Sequence, residues 1–209
     1  MQDLSQFGIT RRWPPKDTDK IQLYSFPTPN GVKISIALEE LGLAYEPHLV
    51  TLSDTDVKSR EFLSLNPNNK IPAIIDPNGP DGAPIGLFES GAILLYLAEK
   101  TGQLIGSNAV DKAHITQWLM FQMGGLGPML GAARRLWAVI DTQLEGQDWI
   151  AREYSIADIA IAPWLRALDF YEARDVVGWS EHKNAVAYLE RFLERPAVQT
   201  GLVTPVRPD

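Results

Sequence analysis

Two rhythms of hydrophobic and polar positions divide the chain, and in the first half the rhythm switches back and forth between strand and helix. IQLYSF, residues 21–26, alternates apolar and polar positions as a strand does, and the turn PTPNG follows it. In GVKISIALEELG the apolar residues Val32 and Ile36, and Ile34, Leu38 and Leu41, recur at helical spacing until Gly42 ends the helix. YEPHLVTL reads as a second strand, and SREFLSL as a short helix halted at Asn66-Pro67. PAIID and IGLF, on either side of PNGPDG, read as a hairpin, and ESGAILLYLAEKTG reads as a helix closed by Gly102.

The order βαβ then ββα is that of a thioredoxin-like domain, a mixed sheet with helices on both sides, expected over residues 21–102. Beyond the polar link QLIGSNAVD, the segments DKAHITQWLMFQM, RRLWAVIDTQL, SIADIAIAPWLRALDFYEA and NAVAYLERFLER carry helical periodicity and little strand signal. An all-helical domain is therefore expected over residues 110–200, and the fold class is α/β plus all-α. Residues 1–20, ending in RRWPPKDTDK, follow neither period and are expected to form an arm that wraps the surface through Trp13 and its prolines. Trp118, Phe121 and Met123 recur near helical spacing and are assigned to packing.

Composition narrows the function. An apolar fraction of 45% argues for a globular protein, and a net charge of −7 with no run of Lys or Arg longer than two removes the basic footprint that nucleic-acid binding needs. No stretch approaches the roughly 20 apolar residues of a membrane span, and the start MQDLSQFG lacks the apolar core of a signal peptide, so cytoplasmic residence is expected. The chain has no cysteine, and its three histidines, His48, His114 and His182, show no metal spacing. No metal site is expected, and any thiol chemistry must be borrowed from a ligand.

Three stretches carry candidate chemistry. In Asn69-Lys70-Ile71-Pro72 a proline enters a strand; a cis bond there would turn the N–H and C=O of Ile71 outward to pair with an extended peptide, although the residues alone favour a trans bond. In Phe88-Glu89-Ser90-Gly91, Ser90 is read as a helix N-cap, while the free N–H groups of that helix end suit a ligand carboxylate and Glu89 a ligand ammonium. Tyr154-Ser155-Ile156-Ala157-Asp158-Ile159 fits a capping box with a Tyr154–Ile159 staple; its Ser and Asp are structural, and losing Asp158 is expected to cost about 0.5–2 kcal/mol.

Together, the turn Pro27-Thr28-Pro29-Asn30-Gly31, the run Asn66-Pro67-Asn68-Asn69-Lys70-Ile71-Pro72, the FESGAI stretch and Ser155-Ile156-Ala157-Asp158 resemble the cytosolic glutathione transferase family. TPNG, NNKIP and FESGAILLYLAEKTG are most similar to the bacterial nu class, related to a fungal prion-forming nitrogen regulator. The resemblance implies a glutathione-binding thioredoxin-like domain, a helical domain and a homodimer. It implies that Pro72 is cis, that Ile71 gives main-chain bonds to the cysteinyl part of glutathione, that Lys70 and Pro72 belong to the same glutathione site, and that Glu89 and Ser90 hold its γ-glutamyl end. Thr28 and Asn30 then face the sulfur, where a hydroxyl, an amide and a helix N-terminus favour thiolate over thiol.

The activity implied is glutathione-dependent reduction of a small disulfide. Conjugation to an electrophile would use the same thiolate, and a glutathione-binding regulator without turnover is the competing reading.

The chain departs from the family in two places. Val57 replaces a polar residue that contacts glutathione, so that contact is not carried over. GGLGPMLG runs directly into AARRLWAVIDTQL, where the family has a longer passage bearing a basic residue, a role not given to Arg134 or Arg135. So little chain remains to reverse direction between antiparallel helices that the Gly131-Ala132 junction is expected to be the edge of a missing loop.

Overall fold

The structure, a computed structural model, describes residues 3–127 and 133–207. The described residues fall into two compact units, one within 1–94 and 200–209 and the other within 95–199.

In the first unit, strand β1 (Ile21–Ser25) is followed by helix α1 (Gly31–Glu40) and strand β2 (Tyr45–Leu49). Two single-turn helices, α2 (Asp54–Val57) and α3 (Arg60–Leu63), lead to β3 (Ala73–Asp76), β4 (Ile85–Phe88) and helix α4 (Ser90–Thr101). The sheet order is β2-β1-β3-β4; β1 and β2 are parallel across the α1 crossover, and β3 is antiparallel to both of its neighbours. Strand β1 is buried at every position, polar ones included. Gln22 repays its burial with hydrogen bonds: its amide donates to the Asp17 and Lys20 carbonyls at 2.8 Å each, and its Oε1 lies 2.8 Å from His48 Nε2.

The N-terminal arm does more than wrap the surface. It forms a 3-10 turn at Gly8–Arg11 and sends Leu4 and Ile9 into the core. Trp13 packs edge-on against Tyr24 and Phe62, and its indole N–H donates to the Leu49 carbonyl at 3.1 Å. A four-residue turn is too short to leave a periodic trace, which is why the pattern did not announce it. Val57 joins the same core.

The second half is helical as expected, with α5 (Ala109–Phe121), α6 (Ala133–Gln143), α7 (Ile156–Phe170), α8 (Arg174–Val177), α9 (Lys183–Leu193) and α10 (Pro196–Leu202). Asn108 caps α5, accepting from the N–H groups of Val110 and Asp111. The glycines after Phe121 do not stop the helix at once: Gln122–Leu126 forms a π-helical turn. The buried stripe of this region is Ile115, Leu119, Gln122 and Leu126, while Trp118, Phe121 and Met123 are half-buried beside it. Arg134 pairs with Glu181 at 3.2 Å on the surface, and the Gly131-Ala132 junction lies outside the described residues.

The capping box at the start of α7 is present. The Ser155 N–H donates to Asp158 Oδ2 at 2.9 Å, and a further donor, the Ile150 N–H, reaches Asp158 Oδ1 at 3.0 Å. Asp158 therefore ties an upstream turn to the helix as well as capping it. No described helix is long and apolar enough to cross a membrane.

Candidate functional site

Strand register brings the turn at residues 27–31, the run 66–72 and the stretch 88–91 to one end of the sheet. Tyr24 lies opposite Ala73, and Ala73 opposite Phe88, so the turn after β1, the residues before β3 and the residues after β4 all leave the sheet at the same edge.

In the first stretch the backbone coils back on itself. The Thr28 N–H donates to the Phe26 carbonyl at 2.7 Å, and the Thr28 carbonyl accepts from Val32 at 3.0 Å. Thr28 Oγ1 accepts from the Gly31 N–H at 3.1 Å, which leaves the hydroxyl proton for another acceptor. The Thr28 hydroxyl, not the Asn30 side chain, therefore serves the start of α1. Asn30 stands at the N-cap position, but its backbone is already helical (φ −85°, ψ −38°) and its side chain makes no capping bond. Gly31 must be glycine here, since a Cβ would lie 1.9 Å from the Phe26 carbonyl oxygen. Arg207, which nothing in the pattern singled out, donates to the Pro27 carbonyl at 2.8 Å and stacks its guanidinium 4.6 Å from the Phe26 ring.

The second stretch hangs on Asn66, which is 2% exposed. Its amide donates to the Lys70 carbonyl at 2.5 Å, and its Oδ1 accepts from the Asn68 N–H at 2.9 Å. Asn69 turns through a positive φ of 51°, and the Ile71-Pro72 bond is cis, as the resemblance implied and the residues alone did not. Pro72 and Ile71 are buried, Lys70 is exposed, and no described residue pairs with the Ile71 N–H or C=O. Asn66→Ala is expected to lower unfolding stability by about 1–3 kcal/mol in urea titration. Asn66→Asp, which keeps the acceptor for Asn68 and loses the donor to Lys70, is expected to fall between.

In the third stretch Glu89 is exposed and holds a positive φ of 71°, while Ser90 is buried. The Glu89 carbonyl accepts from the Ile93 N–H at 3.0 Å, and Ser90 is the first residue of α4. The N-cap position thus falls on Glu89, one residue before the position expected, and Ser90 belongs to the first turn. Lys33 is the residue the sequence reading missed. It is wholly buried in α1, with its Nζ 3.4 Å from Ser90 Oγ. Burial pushes its pKa down to about 7, against the pull of the Glu89 carboxylate. The signal was present but faint, for Lys33 shares a helix face with Ile36 and Ala37, both fully buried. Among the described residues no group of three or more His, Asp or Glu could hold a metal ion.

The sequence matches the family description "Glutathione S-transferase, N-terminal domain" over residues 19–99 and "Glutathione S-transferase, C-terminal domain" over 129–196. The disulfide-bond oxidoreductase YfcG of Escherichia coli (strain K12) is 42% identical over 207 aligned positions, spanning 88% of this chain and 94% of the relative. A glutathione transferase from Burkholderia graminis, solved with two glutathione molecules per subunit, superposes with a TM-score of 0.97 at 52% identity, covering 100% of this chain and 98% of that one. One from Pseudomonas putida, solved with one glutathione disulfide per subunit, superposes at 0.95 with 53% identity, over 97% and 99% of the two chains. A mixed four-stranded sheet with a cis-proline edge, a helical second half and these likenesses lead to one assignment: the chain belongs to the glutathione S-transferase family.

Proposed function

We propose that the protein is a glutathione-dependent thiol–disulfide oxidoreductase in which both reacting thiols come from glutathione. One observation carries this reading: the chain has no cysteine, yet its relative from Pseudomonas putida holds glutathione disulfide, the product such a reaction leaves. The likeness to YfcG, named a disulfide-bond oxidoreductase, supports the same activity.

In this reading Glu89 and Ser90 hold the γ-glutamyl end, and the N–H and C=O of Ile71 pair with the cysteinyl backbone as an added strand beside Lys70 and Pro72. Thr28 and Asn30 face the sulfur. The Thr28 hydroxyl proton, the Asn30 amide and the N-terminus of α1 stabilise the thiolate over the thiol. That thiolate attacks one sulfur of the substrate disulfide; the other sulfur leaves as a thiolate and takes a proton. A second glutathione thiolate then attacks the glutathione sulfur of the mixed disulfide, releasing the second substrate thiol and glutathione disulfide. Two glutathione thiols are oxidised and one disulfide is reduced. The relative holding two glutathione molecules per subunit supports room for both.

The proposal takes residues 1–20 as an arm, 21–102 as the glutathione-binding domain and 110–200 as the helical domain, with a homodimer working in the cytoplasm without a metal. The stabilised thiolate is tested by the ultraviolet absorbance of bound glutathione against pH. Its midpoint is expected below the ordinary thiol value of about 8.5. A midpoint at or above that value would mean that the turn does not activate the sulfur.

A further inference from the structure

We propose that Lys33 is a positioning residue of the γ-glutamyl subsite: from beneath Ser90, its side chain draws the α-carboxylate of the bound tripeptide onto the Ser90 hydroxyl and the first N–H groups of α4. This rests on reading Glu89 and Ser90 as that subsite. Lys33 is 0% exposed, and its Nζ lies 3.4 Å from Ser90 Oγ, itself only 4% exposed. Ser90 opens a twelve-residue helix, so the cation lies at the end where the macrodipole is already positive. Ammonium, hydroxyl and peptide N–H groups thus bring hydrogen-bond donors to one place, an arrangement that suits an anion.

The opposite sign is supplied next door. Glu89 is exposed, and its positive φ of 71° turns the chain at that point, so the acidic residue stands next to Ser90, against which the basic Lys33 lies. A ligand bearing an ammonium and a carboxylate on the same carbon matches both, and the γ-glutamyl end of glutathione is such a group. A carboxylate resting on Ser90 would also raise the proton affinity of Lys33, whose pKa burial has lowered to about 7. Binding there brings the lysine to full charge at neutral pH, and the anion and the buried cation stabilise each other.

The test is calorimetric binding of two probes, glutathione and the analogue in which hydrogen replaces the γ-glutamyl α-carboxylate, to the wild-type protein and to Lys33→Met. Methionine keeps the length and burial of the side chain without its charge. Glutathione affinity is expected to fall by about tenfold or more in Lys33→Met, with analogue affinity changing by less than about twofold. Equal losses for both probes, or no loss for either, would overturn the proposal. If wild type binds neither probe, the subsite reading itself has failed, and the proposal with it. Should Lys33→Met not fold, carbon NMR titration of Lys33 in the wild type decides. Its pKa is expected to rise by about one unit or more with glutathione and to stay put with the analogue; the same value in all three states would overturn the proposal.

Discussion

Replacing Asn30 by alanine is expected to lower turnover by roughly 10- to 100-fold while changing glutathione affinity by no more than about threefold, because the amide meets charge only at the reacting sulfur. Asn30 contributes no side-chain cap to α1, and the hydrogen bond to the Gly31 N–H comes from Thr28. Thr28→Ala, in contrast, removes that bond along with the hydroxyl, and should cost about 0.5–2 kcal/mol of stability as well as activity. Steady-state kinetics and thermal melts of the two variants separate the roles. Unchanged turnover in Asn30→Ala beside a large loss in Thr28→Ala would move the chemistry to the hydroxyl.

The second large effect is structural. Asp158→Ala is expected to destabilise the protein by about 2–4 kcal/mol at neutral pH, more than a helix cap alone would cost. The difference comes from the Ile150 N–H, which would lose its acceptor in the interior along with the Ser155 N–H. Complete burial pushes the Asp158 carboxyl up to about 6 from 3.8, outweighing these hydrogen bonds. A carboxyl whose pKa is higher in the folded state binds its proton more tightly there. Its contribution to stability is therefore greatest below the unfolded pKa of about 3.9 and shrinks as pH rises through about 6, by roughly 3 kcal/mol in all. The stability gap between wild type and Asp158→Ala should accordingly be wider near about pH 4.5 than near about pH 7, as read by urea titration at both. A gap that narrows towards acid would mean that the hydrogen bonds, not burial, govern this carboxyl.

How legible the molecule was depends on whether the forces were local. Strand β1, helix α1, the β3–β4 hairpin and the α7 capping box announce themselves through period, turn chemistry and spacing, and all of them are present. What escaped depends on partners distant in the chain. Lys33 sits in the first turn of α1, where a lysine ordinarily marks a solvated face, and only Ser90, 57 positions on, reveals its burial. Arg207 reaches Pro27 across 180 positions. The arm's Ile9, the single turns α2 and α8, and the π-helical turn after Phe121 are too short for any period to show. In sequence Asn66 reads as part of a helix stop; that its amide also holds the Lys70 carbonyl follows from the fold of the loop, not from the residue's neighbours in sequence.

The central claim is that this cysteine-free chain reduces disulfides with thiols that glutathione lends it. The most direct measurement is the rate at which the purified protein reduces a small mixed disulfide with glutathione, with product thiol and glutathione disulfide both quantified. The account predicts saturable turnover well above the uncatalysed exchange, one glutathione disulfide formed per disulfide reduced, and a marked loss in Asn30→Ala. Tight glutathione binding with no turnover above background would contradict it and point instead to a glutathione-binding regulator.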